Sequence, residues 1–335
     1  MKNKVCIIIV SYNSSENIVQ CLDSVIKSCS ISNLQIIVVD NDSSDDTVRL
    51  VKDLFPSVQI IRSGANRGFA AAVNIGVEHS NSEFVLLLNP DTVMGDHAVE
   101  NITDFAQKVP HHGVYGGRTT RADGSLEPSS CWGLPSVWSM LLFAMGITTL
   151  ARGNRWLDPE SIGGWMRDSI KEVGVVTGCF LLVSRRVFDE LGGFDERYFM
   201  YGEDVDFSIK ARKAGYRPVI CPDAVITHEV GKSSATLGSK MLLVYRGKAC
   251  LVRTHWHGIA KWSGLSLLWL GACHRAAASS MGSRLKLIRA KDHWETLWSC
   301  RKQWIIGYPD RDVDTQDDIK KAELCELDKI RSLQS

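Results

Sequence analysis

Two clusters of carboxylates and one histidine stand where the sequence can do chemistry. Asp91 closes the run "VLLLNPDTV" (85–93), whose apolar first half reads as a buried strand before it stops on Asn89, Pro90 and Asp91. A carboxylate at a rigid strand end, stiffened by proline, suits a hard divalent cation that takes oxygen ligands and completes its shell with water and substrate phosphate. An ordinary Asn-Pro-Asp turn has the same residues, so context must decide. The stretch "YGEDVDF" packs Glu203, Asp204 and Asp206 together. Acids in a first helical turn serve the macrodipole. Three exceed what a cap needs, and like-charged neighbours raise the pKa of a cleft-facing member, which suits a general base. His228, in "ITHEVGKSS", sits at another strand end, where an imidazole can ligate a metal or donate to a diphosphate. Gly231, Lys232 and Ser233 after it suit a loop that covers phosphates.

A further loop, "SGANRGFAAAVNIG", places Gly64 and Gly68 before a helix that starts near Phe69. Backbone N–H groups at a helix start favour an anionic phosphate, and Arg67 adds a charge-assisted contact. Neither GxGxxG nor GxxxxGK[ST] occurs, which argues against a dehydrogenase and a P-loop ATPase.

These residues need elements to hold them. The pattern predicts strands at Val5–Val10, Leu34–Val39, Val58–Ile61 and Phe84–Leu88. Helices are predicted to follow Ser14 or Ser15, with Ile18, Cys21, Leu22, Val25 and Ile26 inward, then over Asp45–Phe55 and Phe69–His79. Alternating strands and helices imply an α/β fold: a Rossmann-like, mostly parallel sheet flanked by helices. Ligands in such sheets bind beyond the carboxyl ends of the strands, where Ser11, Tyr12, Asn13, Asp40, Asn89 and Asp91 gather. From Val114 the alternation fails, and "GGRTTRADGSLEPSS" reads as loop or hairpin. Order resumes with a strand and short helix near 175–194, a helix ended by Gly215, and strands near Pro218–Cys221 and Ala224–His228.

The 335 residues carry a formal charge of +1, which excludes the footprint of a nucleic-acid binder. Ten cysteines without a CxxC pair read as reduced core thiols of a cytosolic protein, and no export signal is visible. Val137–Leu150 and Trp262–Cys273 fall short of a spanning helix and read as buried helices or interfacial ones.

In order and spacing, "IIIVSYNSSENIVQCLDSV", "IIVVDNDSSDDT", "NRGFAAAVNIG", "LLLNPDT", the segment from Thr177 to Tyr216, and "ITHEVGKSS" resemble glycosyltransferase family 2, its rhamnosyltransferase-like members most closely, over roughly Val5 to Ser234. The resemblance implies a GT-A fold and a metal-dependent, inverting transfer from a nucleoside-diphosphate sugar. It implies a nucleotide-sugar-binding half over 1–113, an acceptor-binding and catalytic half over 114–235, and a helical C-terminal region over 236–335. Tyr12 would pack against a pyrimidine that Asp40 contacts, with Ser11 and Asn13 beside them and Arg67, Gly68, Asn89 and Lys232 around the rest of the donor. Asp91, with His228, would hold Mg²⁺ or Mn²⁺. Asp204 matches the family's base and Glu203 the residue that orients it or the acceptor. Asn89 departs from the strict Asp-x-Asp pattern. In "YRGKACLVRTHW", Gly247 and Lys248 stand where the family's Tyr-x-x-Arg-Asn element has Asn, which leaves Arg246 without a role.

By likeness the donor is dTDP-rhamnose or a UDP-sugar, and the acceptor a lipid-linked or polysaccharide hydroxyl in cell-surface glycan synthesis. A non-catalytic sugar-binding scaffold and a sugar-phosphate nucleotidyltransferase stay open, although the acids argue against the first and the absent N-terminal Gly-rich loop against the second. For the tail, Trp256, Trp262, Trp269, Trp294 and Trp298, with Arg275, Arg284, Lys286 and Arg289, leave three readings: a peripheral seat on the cytoplasmic face of the inner membrane, a helical cap over the core, and a homodimer surface.

Overall fold

The computed structural model describes residues 3–31, 33–228, 237–284 and 293–308. The chain divides into two compact units, the first comprising Met1–Leu134, Gly164–Glu196 and Glu203–Ser233, and the second Pro135–Gly163, Arg197–Gly202 and Ser234–Ser335.

In the first unit, β1 (Asn3–Ser11), β2 (Leu34–Asp40), β3 (Gln59–Arg62) and β4 (Ser82–Leu88) alternate with α1 (Ile18–Ser28), α2 (Thr47–Leu54) and α3 (Phe69–Glu78). Cys6, Ile7, Ile8 and Ile9 of β1 are all buried, as an apolar run covered on both faces must be. On α1, Ile18, Cys21, Leu22 and Val25 form the buried stripe. Ile26 on α1 and Leu54 on α2, expected inward, are exposed, because each lies one residue past the apolar stripe of its helix.

After β4 come β5 (Thr92–Met94), α4 (Ala98–Lys108) and β6 (Val114–Thr120). The chain then adds β7 (Cys131–Trp132), α5 (Val137–Ala144), α6 (Ile147–Leu150), β8 (Lys171–Glu172), β9 (Val175–Val176), β10 (Phe180–Ser184), α7 (Arg185–Glu190), α8 (Glu203–Lys213) and β11 (Val219–His228). One nine-stranded sheet runs β3-β2-β1-β4-β10-β6-β11-β5, with β8 beside β11. Pairs β1–β2, β1–β4, β2–β3 and β6–β11 are parallel, whereas β10 is antiparallel to both its neighbours and β5 to β11. The sheet is therefore mixed and mostly parallel in strand direction.

Two expectations are corrected here. The passage from Val114 opens as a central strand through Thr120, and only its remainder is the expected hairpin loop, turned back antiparallel where Thr120 meets Leu126. Its Gly116 and Gly117 are packing requirements: a Cβ on Gly117 would collide with the Phe180 ring and the Ala224 carbonyl. The two strands expected near 218–228 are one, β11, whose register shifts between Ile220 and Val225.

The second unit holds α5, α6, α9 (Leu237–His255), α10 (Gly258–Arg284), α11 (His293–Ser299) and α12 (Arg301–Trp304). Met140, Leu242, Tyr245, Leu265, Leu268, Leu297 and Trp304 form its core. Trp256, Trp294 and Trp298, which one of the three readings of the tail set on a membrane-facing surface, pack against this core. Arg275, assigned to the same surface, sits 3.9 Å over the Phe143 ring and donates to the Phe143 carbonyl at 2.7 Å. Lys286 and Arg289, and the side chain of Arg284, lie outside the described residues. Arg246 is buried, with its guanidinium 6.0 Å over Tyr308. A Cβ on Gly247 would collide with the Tyr201 carbonyl, so the backbone approaches there as only glycine allows. The Val137–Leu150 stretch is not fully buried: Val137, Trp138, Met145 and Leu150 are exposed. No described helix is long and apolar enough to cross a membrane.

Candidate active site

At one end of the first unit, β1 and β2 bring Ser11 and Asp40 side by side in register. Both are buried, and Ser11 Oγ and Asp40 Oδ1 have no hydrogen-bond partner among the described residues. Tyr12 follows at 49% exposure, its ring available for stacking. Asn13 adopts a left-handed φ of 49° and accepts from the Ser44 N–H at 2.8 Å. Gly68, with φ 81°, turns the chain into α3 in a conformation that favours glycine. Arg67 is exposed.

Asn41, which the sequence sets with Asp40 and Asp42 at the end of the second strand, fixes this loop. It accepts from the Arg67 N–H at 3.0 Å and donates to the Asn66 side chain at 2.9 Å and the Gly68 carbonyl at 3.1 Å.

The second group lies at the ends of β4, β6 and β11. The Asn89 N–H donates to the Cys179 carbonyl at 3.2 Å, and Thr92 Oγ1 closes the turn on the Asn89 carbonyl at 2.7 Å. Asp91 projects from that turn. The pairing of β5 with β11 sets Thr92 opposite His228. His228 Nε2 thereby lies 3.3 Å from Asp91 Oδ1, a contact without hydrogen-bond geometry that leaves Asp91 Oδ1 buried with no hydrogen-bond partner. Behind the ring, Glu127 Oε2 lies 3.7 Å from His228 Nδ1, and Ser129 Oγ lies 3.3 Å from the same nitrogen. Ser129 also donates to Glu127 through its N–H, at 2.9 Å, and through its hydroxyl. Burial opposes the charged imidazole, but Asp91 and Glu127 outweigh it and lift His228 to about 9. Burial likewise opposes the Glu127 carboxylate, but hydrogen bonds from His228 and Ser129 pull its pKa below the usual value. Glu127 was not singled out in the sequence, where it sits in a passage taken for loop. Lys232 lies outside the described residues.

The third group opens α8. Asp204 accepts from the Val205 N–H at 2.8 Å, and the Gly178 N–H also bonds it. A Cβ on Gly178 would meet the Phe69 ring at 2.8 Å, so only glycine lets this backbone approach so closely. Burial raises Asp204 from 3.8 to about 6 despite these bonds. Glu203 is buried, its Oε2 without a hydrogen-bond partner. Burial, and then the charges of Asp204 and Asp206, push it well above the ordinary carboxylate range. Asp206 turns away to Lys210 Nζ, 2.7 Å distant.

Cys179 links the second and third groups. Burial drives its thiol up to about 12, and the charges of Glu127, Asp204 and Asp91 all bear on it. Four carboxylates from three separate segments therefore gather around residues 177–179: Asp91, Glu127, and the adjacent pair Glu203 and Asp204 beside the Gly178 backbone.

Among the described residues no group of three or more His, Cys, Asp or Glu side chains is arranged to hold a metal by itself. The buried Asp91 Oδ1 facing His228 nevertheless fits a hard cation that displaces the imidazole proton, held to about 9 without it, and draws its remaining ligands from diphosphate and water. Such a site is completed by substrate, and a carboxylate poised near 6 beside it suits proton uptake from a hydroxyl.

The family model described as "Glycosyl transferase family 2" matches residues 6–192, and that described as "Glycosyl transferase family group 2" matches 160–304. An N-acetylglucosaminyl-diphospho-decaprenol L-rhamnosyltransferase of Mycobacterium tuberculosis is 31% identical over 219 residues, covering 60% of this chain and 68% of that protein. An O-antigen chain rhamnosyltransferase of Salmonella typhimurium is 26% identical over 233 residues, 67% of this chain and 66% of that protein. A mannosyltransferase of Pyrobaculum calidifontis, solved with GDP-Man and Mn²⁺, superposes with a TM-score of 0.52 at 18% identity, over 91% of this chain and 86% of that one. The shared architecture is the GT-A fold, a mixed sheet flanked by helices.

Proposed function

Because this chain belongs to glycosyltransferase family 2, we propose that it catalyses an inverting, metal-dependent transfer of a sugar from a nucleoside diphosphate to a hydroxyl of a lipid-linked glycan. Rhamnose from dTDP-rhamnose is the donor sugar this reading favours, because both reported sequence relatives are named rhamnosyltransferases. The acceptor class follows from the decaprenol-linked substrate in the name of one of them. The observation that carries the mechanism is that two adjacent residues hold both segments: the Gly178 N–H bonds Asp204, and the Cys179 carbonyl accepts from Asn89 in the turn that carries Asp91.

In this reading Tyr12 stacks on the pyrimidine, while Asp40 and Ser11, buried with acceptor atoms unengaged, hydrogen-bond its edge. The loop pinned by Asn41, whose Arg67 and Gly68 N–H groups are bonded to Asn41 and Asn66, would leave the first N–H groups of α3 for the donor. Asp91 and His228 would hold Mg²⁺ or Mn²⁺, which supplies charge compensation for the departing diphosphate. Glu127 holds His228 from behind and fixes which ring nitrogen faces Asp91. Asp204 takes the proton of the acceptor hydroxyl as its oxygen bonds to the anomeric carbon and the bond to the diphosphate breaks on the opposite face. Glu203, buried beside it, would orient that carboxylate or the acceptor.

The test is diphosphate release from a panel of dTDP- and UDP-sugars, with and without a polyprenyl-diphosphate acceptor. Acceptor-dependent release of nucleoside diphosphate, lost in Asp204→Asn and Asp91→Ala, is expected. Release of pyrophosphate, or near-normal turnover in both variants, would refute the assignment.

A further inference from the structure

In the second unit, α5 and α10 pack side by side and leave between them an apolar groove of about 540 Å³ lined by Val137, Leu141, Ile259, Trp262 and Leu267. Ile259 is 86% exposed and Trp262 67%. The patch continues past the groove: Trp138 Nε1 donates to the Trp156 carbonyl at 3.0 Å, and Trp156 is itself 72% exposed. Arg155 lies 5.5 Å from the Trp156 ring centroid.

Charge is sorted around this surface. Between Glu127 and Asp158 the sequence has no acid but carries Arg152 and Arg155. Among the described residues Arg152, Arg155 and Lys261 carry the charge beside it, whereas Arg246 is buried and Arg275 and Lys248 are engaged elsewhere. The acids that follow Trp156 are engaged locally: Asp158 accepts from the Gly153 N–H at 3.1 Å, and Glu160 accepts from Ser139 at 2.7 Å and lies 3.5 Å from Lys248.

We propose that this surface seats the protein on an anionic lipid bilayer, with Ile259, Val137 and the tryptophan rings entering the headgroup boundary and Arg152, Arg155 and Lys261 meeting lipid phosphates. Exposed tryptophans flanked by arginine and lysine have the chemistry of a bilayer interface, where an apolar ring and a wet N–H are both satisfied. A second copy of this chain fits worse. A two-fold interface sets a patch against itself, and here that would oppose arginines and lysines whose nearest acids, Asp158 and Glu160, are already engaged within the protein. The inference rests on the lipid-linked acceptor reading, since such an acceptor is presented at a bilayer surface.

Flotation of the full chain with phosphatidylglycerol-containing vesicles and with pure phosphatidylcholine vesicles tests it. The protein is expected to float with the anionic vesicles only, less at high salt, with a blue shift of tryptophan emission. Ile259→Ser/Trp262→Ser and Arg152→Glu/Arg155→Glu should each lower the bound fraction roughly tenfold while melting like the parent, as exposed substitutions do. Failure of the parent to float, equal binding of the variants, or a solution dimer that Ile259→Ser/Trp262→Ser converts to monomer would overturn the proposal. Flotation needs neither donor nor acceptor. A protein that turns over a water-soluble acceptor but never floats sinks this inference alone, and one that floats but releases no diphosphate sinks the transferase reading.

Discussion

Replacing Asp204 by Asn should make the protein inactive and more stable at once. The carboxyl sits at about 6 in the fold against an ordinary 3.8, and each pH unit of displacement corresponds to 1.36 kcal/mol. The native state thus keeps this proton where the unfolded chain has already lost it. Stability from this group is complete below about pH 4 and declines as pH rises through about 6. Above about pH 7, holding the bare carboxylate costs at most about 3 kcal/mol, an upper bound because Asp204 is only half-buried. Asn carries no charge there, yet its side-chain oxygen still accepts from the Val205 and Gly178 N–H groups. The variant should therefore melt several degrees higher near neutral pH, with the advantage gone below about pH 4. Turnover should fall by about 10² to 10⁴, the usual contribution of a general base. Thermal melts across pH, paired with diphosphate-release assays, read both arms. A variant that is inactive but melts lower than the parent at neutral pH would refute the reasoning, because its loss of activity would then reflect damage to the fold.

Wild-type kcat/KM should rise with pH and level off above about 6, as Asp204 must be unprotonated to accept the hydroxyl proton; a profile flat down to about pH 4.5 would exclude Asp204 as base. Glu127→Gln should weaken Mn²⁺ binding about 10- to 100-fold, as loss of a histidine's outer partner does; titration by calorimetry in the presence of nucleoside diphosphate reads this without turnover, and an unchanged affinity would remove Glu127 from the site. Asn41→Ala strands two backbone groups of the 64–68 loop and should raise KM for the donor while costing about 1 to 3 kcal/mol of stability in urea melts. Cys179, its thiol lifted to about 12, should resist thiol reagents in the folded protein and react only on unfolding.

The first half of the sheet was legible because burial of parallel strands leaves a signature within each segment. Cys6 to Ile9 and Val85 to Leu88 are continuously apolar, and α1 shows its buried stripe at helical spacing. Boundaries slipped by a residue or two, as they do wherever a strand end also makes the site: β1 includes Ser11 and β2 includes Asp40. What was not legible depends on the third dimension. Gly116 and Gly117 read as breakers, since nothing near them announces that the Phe180 ring will occupy the space of a side chain. Trp294 and Trp298 could be read as surface anchors because α11 is too short for its periodicity to say which side is covered.

Glu127 shows why a motif understates a site. Sequence spacing pairs Asp91 with Asn89, two residues away, and finds the second acid of an Asp-x-Asp element missing. Strand register pairs Asp91 with a different partner: Thr92 sits opposite His228, 136 positions later, and that alignment carries the imidazole to Asp91 and sets Glu127 behind it. An acid behind the histidine acts differently from an acid beside Asp91. It adds no ligand of its own, but it holds one nitrogen of the ring so that the other faces the Asp91 carboxylate, and it leaves Asn89 free to close its turn through its backbone. In the proposed reading the second acid missing at position 89 is offset by Glu127, which strand register brings to Asp91 through His228.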